Sequence, residues 1–155
     1  PERTRGGAWG VTSRAMGALG TGPFENDDAM DFLDDLQDLP AGERGHRVLQ
    51  ALDGVLLARG FVDAPRMCEA VAAAAAVGAS LQPQSAAGES GLPGWLAREP
   101  LFLTEEVLEK SRQVLRRAVR SREGEWWELW EEAGLVQDVD TACQRALSWL
   151  GDRDD

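Results

Sequence analysis

The chain has 155 residues, with 16 lysines and arginines against 27 aspartates and glutamates, giving a net charge of −11 at pH 7; such a balance disfavours nucleic-acid phosphate and anionic lipid as partners and favours basic proteins or cations. This length suits one domain that buries roughly 70% of the surface its unfolded form exposes, without needing a disulfide. Tyrosine and isoleucine are absent, threonine is sparse, and alanine, leucine, glutamate and arginine abound, so the residues that fit a pleated sheet are largely missing and an all-α fold is expected.

Residues 1–15, PERTRGGAWGVTSRA, carry Arg3, Arg5 and Arg14 against Glu2 alone and show no apolar periodicity. They read as an upstream extension or an expression remainder, expected to be flexible, with Met16 as the start that the fold is built around. Three basic and one acidic residue leave with them, taking the charge from −11 to −13. From Gly17 the chain reads GALGTGPFENDDAMDF: a glycine-dense turn runs into seven acidic residues between Glu25 and Asp38 with no basic residue among them.

Asn26 is a good N-cap for a first helix, Asp27 and Asp28 favour its dipole, and Ala29, Phe32, Leu33, Leu36 and Leu39 recur at helical spacing until Pro40. A second helix is expected from Glu43 to Arg59, burying Val48, Leu52, Val55 and Leu56, with Gly60 as its C-terminal cap. A third opens at Pro65 and passes through Cys68, Val71, Ala72 and Ala75 to Gly78. Residues 79–100 carry three prolines and three glycines and read as one long irregular surface loop docked by Leu92, Trp95 and Leu96.

Thr104 caps a fourth helix with Val107, Leu108, Val114, Leu115, Ala118 and Val119 as its apolar stripe. Its basic half, Lys110 to Arg122, is expected to pair with the acidic surfaces of the first and fifth helices or to complement its own dipole. A fifth helix spans Glu125 to Ala133 before Gly134, and a sixth runs from Asp138 to Leu150 before Gly151; residues 152–155 form an acidic tail. About six helices in a single compact domain, residues 16–151, is the resulting architecture, with no repeat.

Cys68 and Cys143 belong to no Cys-x-x-Cys or Cys/His cluster and read as free thiols of a reducing cytosol. The longest apolar run, Ala70 to Ala79, is far short of the roughly 20 residues that cross a bilayer, so no membrane partner is expected and the localisation expected is cytoplasmic. Fifteen arginines against the single Lys110 suggest a G- and C-rich genome, hence a bacterial origin.

Nothing in the chain has the residue types and spacing that name a reaction. His46 is the only histidine, which leaves no two- or three-histidine zinc site and a Ser-His-Asp arrangement with one choice of base. Glu43 and His46 form a Glu-x-x-His pair, the spacing of diiron helical bundles, but such sites need that motif twice with further glutamates. They are weak metal candidates, and no cofactor is expected. No lysine follows a phosphate-binding glycine loop, and Gly17, Gly20 and Gly22 lack the strand-turn-helix context of a dinucleotide site.

Two surfaces stand out. Asp27, Asp31 and Asp35 recur every four residues with Asp28 beside them, so several carboxylates share one helical face and repel one another; a cation or a basic partner relieves that repulsion, and a merely solvated face is the plain alternative. Trp126, Trp130 and Trp149 read as core. Trp127 and Trp95 are candidates for an exposed aromatic anchor, and the glutamates around Trp127, including Glu128 and Glu131, argue against nucleic acid stacking there.

GALGTGPFENDDAMDFLDDL resembles the opening of a family common in actinomycetes, domain of unknown function 4259, whose members begin Gly-Ala-Trp-Gly-Thr-Gly-Pro-Phe-Asp-Asn-Asp. Leu19 stands where tryptophan is usual. The Asp63-Ala64-Pro65 entry to an alanine-rich helix, the Glu128-Leu129-Trp130 segment and the tryptophan-containing last helix look similar too. The resemblance implies a small, mainly helical bacterial protein with no established activity, and marks Gly20, Gly22, Phe24, Asn26, Asp27 and Asp28 as motif positions. Their structural role would be a fixed loop, with Phe24 plugging the core and Asn26 capping the helix.

The residues therefore favour a binding role over a catalytic one: an acidic helical protein, monomer or dimer, engaging a basic protein partner through Asp27, Asp28, Asp31 and Asp35 and through Trp127, Glu128 and Glu131. A carboxylate-based small-molecule or divalent-metal binder or enzyme is the first alternative, and a structural or oligomerising helical module the second.

Overall fold

The computed structural model describes residues 20–151. The expected extension at 1–15, the start at Met16, Gly17, Leu19 and the acidic tail at 152–155 lie outside the described residues. Among those described there are eight α-helices and no strand: α1 (Asp27–Asp38), α2 (Arg44–Leu56), α3 (Ala64–Leu81), α4 (Pro83–Ala86), α5 (Gly94–Arg98), α6 (Glu105–Arg120), α7 (Glu125–Ala133) and α8 (Val136–Trp149), with a 3-10 turn at Ala41–Glu43.

The centre of the fold is α3. Ala70, Ala72, Ala73, Ala74, Ala75 and Ala76 are all fully buried, which is the mark of a helix apolar on every side rather than along one stripe. Methyl side chains let neighbours approach closely, and α3 packs against each of the other seven helices. Around it, α2 and α6 pack on each other, as do α6 and α8, while α7 and α4 lean on α8. These surrounding helices are amphipathic. In α6, Val107, Ser111, Val114, Leu115 and Ala118 face inward at helical spacing, and Thr104 closes its start by accepting the Val107 N–H at 3.2 Å.

The expected single loop over 79–100 is corrected by the structure. Gly78 does not end α3, because its bare Cα faces Trp149, where an added Cβ would lie 3.0 Å from the Trp149 Cβ; the glycine serves close packing and the helix continues to Leu81. Pro83 then starts α4 and Pro93 precedes α5, each proline standing where its missing N–H costs nothing. Two further short helices result, giving eight instead of about six.

Three smaller corrections concern ends and pairing. The second helix closes at Leu57, whose N–H returns to the Asp53 carbonyl at 2.9 Å, so Gly60 turns the chain beyond the helix and is not its cap. The last helix starts at Val136, two residues before Asp138, within the usual fraying of such boundaries. The basic half of α6 does not reach α1 or α7 as ion pairs. Lys110 holds Asp53 of α2 at 2.9 Å and Glu106 at 3.0 Å, Arg112 and Arg116 hold Glu109, and Arg117 donates to the Val55 carbonyl. The nearest acceptors along and across α6 were simply closer than the acidic faces of the other helices.

Candidate functional site

The turn from Gly20 to Asn26 is built around a carboxylate. Glu25 N–H closes on the Gly22 carbonyl at 3.2 Å, which folds the Glu25 side chain back so that Oε1 accepts the Gly22 N–H at 2.7 Å. Gly20, at φ +93, and Gly22 lie directly under that carboxylate: a Cβ at either would stand 2.5 Å and 2.8 Å from Oε1. Beyond the loop, Glu89 is gripped in a two-point fork by Arg145 at 2.8 and 2.7 Å, and that pairing with Glu89 raises the Arg145 pKa.

The same loop is anchored inward. Phe24 is fully buried and stacks on Trp149 with centroids 6.5 Å apart and an angle of 15°. Gly91, at φ +84, passes so close behind it that a Cβ would meet the Phe24 carbonyl at 2.9 Å. Asn26 is buried, and its Oδ1 accepts the Ala29 N–H at 2.8 Å, satisfying one of the N–H groups that the start of α1 leaves open.

From that cap α1 projects one buried face, Ala29, Phe32, Leu33 and Leu36, and one acidic face. Asp27, Asp31, Asp34, Asp35 and Asp38 are exposed, and Asp28 is half-buried. The five exposed aspartates form no ion pair with any described residue. Met30 lies at the edge of this face, three residues from Asp27 and four from Asp34, and is 47% exposed.

A small void touched by Gly22, Pro23 and Asn26 on one side and by Trp126 and Trp130 on the other places the loop beside α7. Trp126 and Trp130 meet edge to face at 6.5 Å and are buried. Trp127 is half-buried with the Arg122 guanidinium 4.5 Å over its ring, while Glu128 and Glu131 are exposed. Trp95 is no exposed anchor: it is 5% exposed beneath the Arg44 guanidinium, 4.9 Å from its ring centre.

Beside the start of α7 opens a cleft of about 480 Å³ between the α2–α3 connection and the end of α6, walled by Phe61, Met67, Arg117, Glu123, Trp126 and Glu128. Glu125 is committed to structure there, accepting the Ala64 N–H at 2.6 Å at the open end of α3. Glu43 and His46 are both exposed, and among the described residues no group of three or more His, Cys, Asp or Glu side chains is placed to hold a metal ion. Cys68 and Cys143 are free and buried. Burial pushes the Cys143 thiol up to about 12 and raises Cys68 as well, with the Asp28 charge adding to the effect. Neither is poised as a nucleophile.

Sequence reasoning missed Arg44. Its Nε donates to the Leu36 carbonyl at 2.7 Å, Nη2 to the Gln37 carbonyl at 3.0 Å and Nη1 to Glu99 at 2.7 Å. It thus closes the end of α1 and ties it to α5. The only signal available was an arginine five residues after the helix-ending Leu39, which fixes no direction.

Among the described residues no helix is long and apolar enough to cross a membrane. No curated protein and no solved structure matches the chain. The sequence model of one family, described as Domain of unknown function (DUF4259), matches residues 17–142, and the chain belongs to that family.

Proposed function

We propose that this member of the DUF4259 family binds a basic protein partner through the outward face of α1, with Asp27, Asp31 and Asp35 as its charged contacts, Asp28 beside them and Met30 as an apolar contact at the edge. The observation that supports this reading is the set of five exposed aspartates without an ion pair among the described residues. Elsewhere Asp53, Glu69, Glu89, Glu99, Glu106 and Glu109 are held by arginine or lysine. A carboxylate face left open in this way speeds the encounter with a positive surface and selects for it. Glu128 and Glu131, with Trp127, are a second contact in the same reading.

The test begins with the immobilised full chain in extract of its source organism at low and moderate salt. A retained basic protein is then purified and titrated against the wild type and against D27N/D31N/D35N. The expected result is a loss of affinity of tenfold or more in the triple variant, on the order of 1.4 kcal/mol, and a steep fall with salt. Affinity indifferent to all three substitutions would overturn the reading.

One observation favours the small-molecule alternative: the cleft of about 480 Å³ beside α7 has Glu123, Glu128 and Arg117 in its lining together with Met67 and Trp126. This size falls in the range of sites for small organic ligands. Ligand-induced change in tryptophan fluorescence that disappears in Glu128→Gln would move the function to that cleft.

A further inference from the structure

On the opposite side of the last turn of α6 from that cleft lies a smaller cavity, of about 220 Å³, between α6 and α8. One wall presents Arg116 and Arg120 of α6 and Arg122 just beyond its end, and the α8 wall presents Asp140 and Gln144. In a chain of net charge −11, three guanidiniums thus converge on one hollow.

Their partners are instructive. Arg116 is engaged with Glu109 at 3.6 Å. Arg120 and Arg122 make no ion pair with any described carboxylate, although acidic residues outnumber basic ones in the chain. Arg122 is instead oriented by its stack on Trp127. Asp140 faces the same hollow, yet none of the three guanidiniums closes on it as an ion pair. The two walls therefore stand apart, with like charges gathered on one and an acceptor on the other.

We infer that this cavity binds a small hydroxylated phosphate monoester. Guanidinium forks match phosphate oxygens in pairs, and a phosphate monoester near pH 7 carries about −1.5 to −2 charge, which the guanidiniums of Arg120 and Arg122, without an ion pair among the described residues, answer. Asp140 repels a bare phosphate but accepts a hydrogen bond from a ligand hydroxyl, and Gln144 both donates and accepts. A ligand with phosphate at one end and a hydroxyl at the other satisfies both walls. The volume, below the ~300 Å³ where drug-sized pockets begin, suits a short molecule.

Calorimetric titration of the full chain with inorganic phosphate and with glycerol 3-phosphate tests this, using Arg120→Gln, Arg122→Gln and Asp140→Asn, with Arg98→Gln as a control. Arg98 is exposed and, among the described residues, donates to the Gly94 carbonyl alone. Glycerol 3-phosphate is expected to bind more tightly than phosphate. Arg120→Gln and Arg122→Gln should each weaken both probes by about tenfold, the scale of one charged hydrogen bond. Asp140→Asn, which removes the repelling charge but keeps an acceptor, should tighten phosphate and narrow the advantage of the ester, a gain that misfolding cannot produce. The inference is overturned by the absence of saturable binding of either probe up to about 10 mM, by an equal loss in Arg98→Gln, or by glycerol 3-phosphate binding no better than phosphate.

Discussion

The Glu25 carboxylate accepts the Gly22 N–H at 2.7 Å while occupying the space that a Gly22 side chain would need, 2.8 Å from the ideal Cβ. The glycines of the family motif thus accommodate a side chain of the chain itself. Gly22→Ala is expected to expel the carboxylate, and Glu25→Ala to leave a buried N–H unpaired. Each should destabilise by about 1–2 kcal/mol, and in urea titration the double variant should lose less than the sum, because both changes abolish one contact.

Arg44 supplies the second prediction. It ends α1 by taking the Leu36 and Gln37 carbonyls, pairs with Glu99 and covers Trp95. Arg44→Ala is expected to cost about 3 kcal/mol, since two carbonyl acceptors lose a charged donor at once. Arg44→Lys should recover little, because an ammonium cannot reproduce the planar fork. Urea midpoints of the two variants, compared with wild type, check this, and near-UV circular dichroism should report the loss around Trp95.

What the sequence made legible, and what it hid, follows from the range of the interactions. The start of α1 at Asn26 and the span of α7 from Glu125 to Gly134 depend on neighbours within four residues, and those are visible in a one-dimensional pattern. Gly78 was ambiguous because a glycine that stops a helix and a glycine that admits Trp149 look alike until α8 is in place. Pro83 and Pro93 read as breakers, yet the same fixed φ that ends one helix starts another. The Lys110 to Asp53 pair and the fork of Arg145 on Glu89 join distant segments, so no local signal could point to them. Of the candidate site, the acidic face of α1 was legible as spacing; both clefts were not, because their walls come from separate stretches of chain.

The buried thiols give the fold a pH dependence of definite sign. Burial pushes Cys143 from an ordinary value of 9.0 to about 12 and raises Cys68 as well. Above about pH 9 the unfolded chain therefore gives up thiol protons that the folded chain keeps. The unfolded state then binds fewer protons, so stability falls as pH rises from 9 toward 12, and the thiols contribute no slope below pH 8. The loss is about 1.4 kcal/mol per pH unit for each thiol once it applies. Urea unfolding at pH 8 and pH 10 should show a smaller drop in Cys143→Ala than in wild type, and a thiol reagent at pH 8 should react with native protein only as fast as it opens.

The aspartates of α1 separate folding from binding. Asp27 sits in the first turn, where a negative charge is favoured by the helix dipole, so Asp27→Asn is expected to destabilise slightly. Asp31 has Asp27 and Asp35 four residues away and Asp34 three away, all exposed, and each such like-charge pair opposes the helix by a few tenths of a kcal/mol. Asp31→Asn should therefore stabilise the protein at low salt, and the gain should vanish near 1 M salt, where the screening length falls to about 3 Å. If thermal unfolding shows these opposite signs while Asp31→Asn weakens the basic partner, the charge at that position works against the fold and for the interaction. If Asp31→Asn destabilises instead, the carboxylate is serving α1 itself, and the case for an open docking face on this helix loses its physical basis.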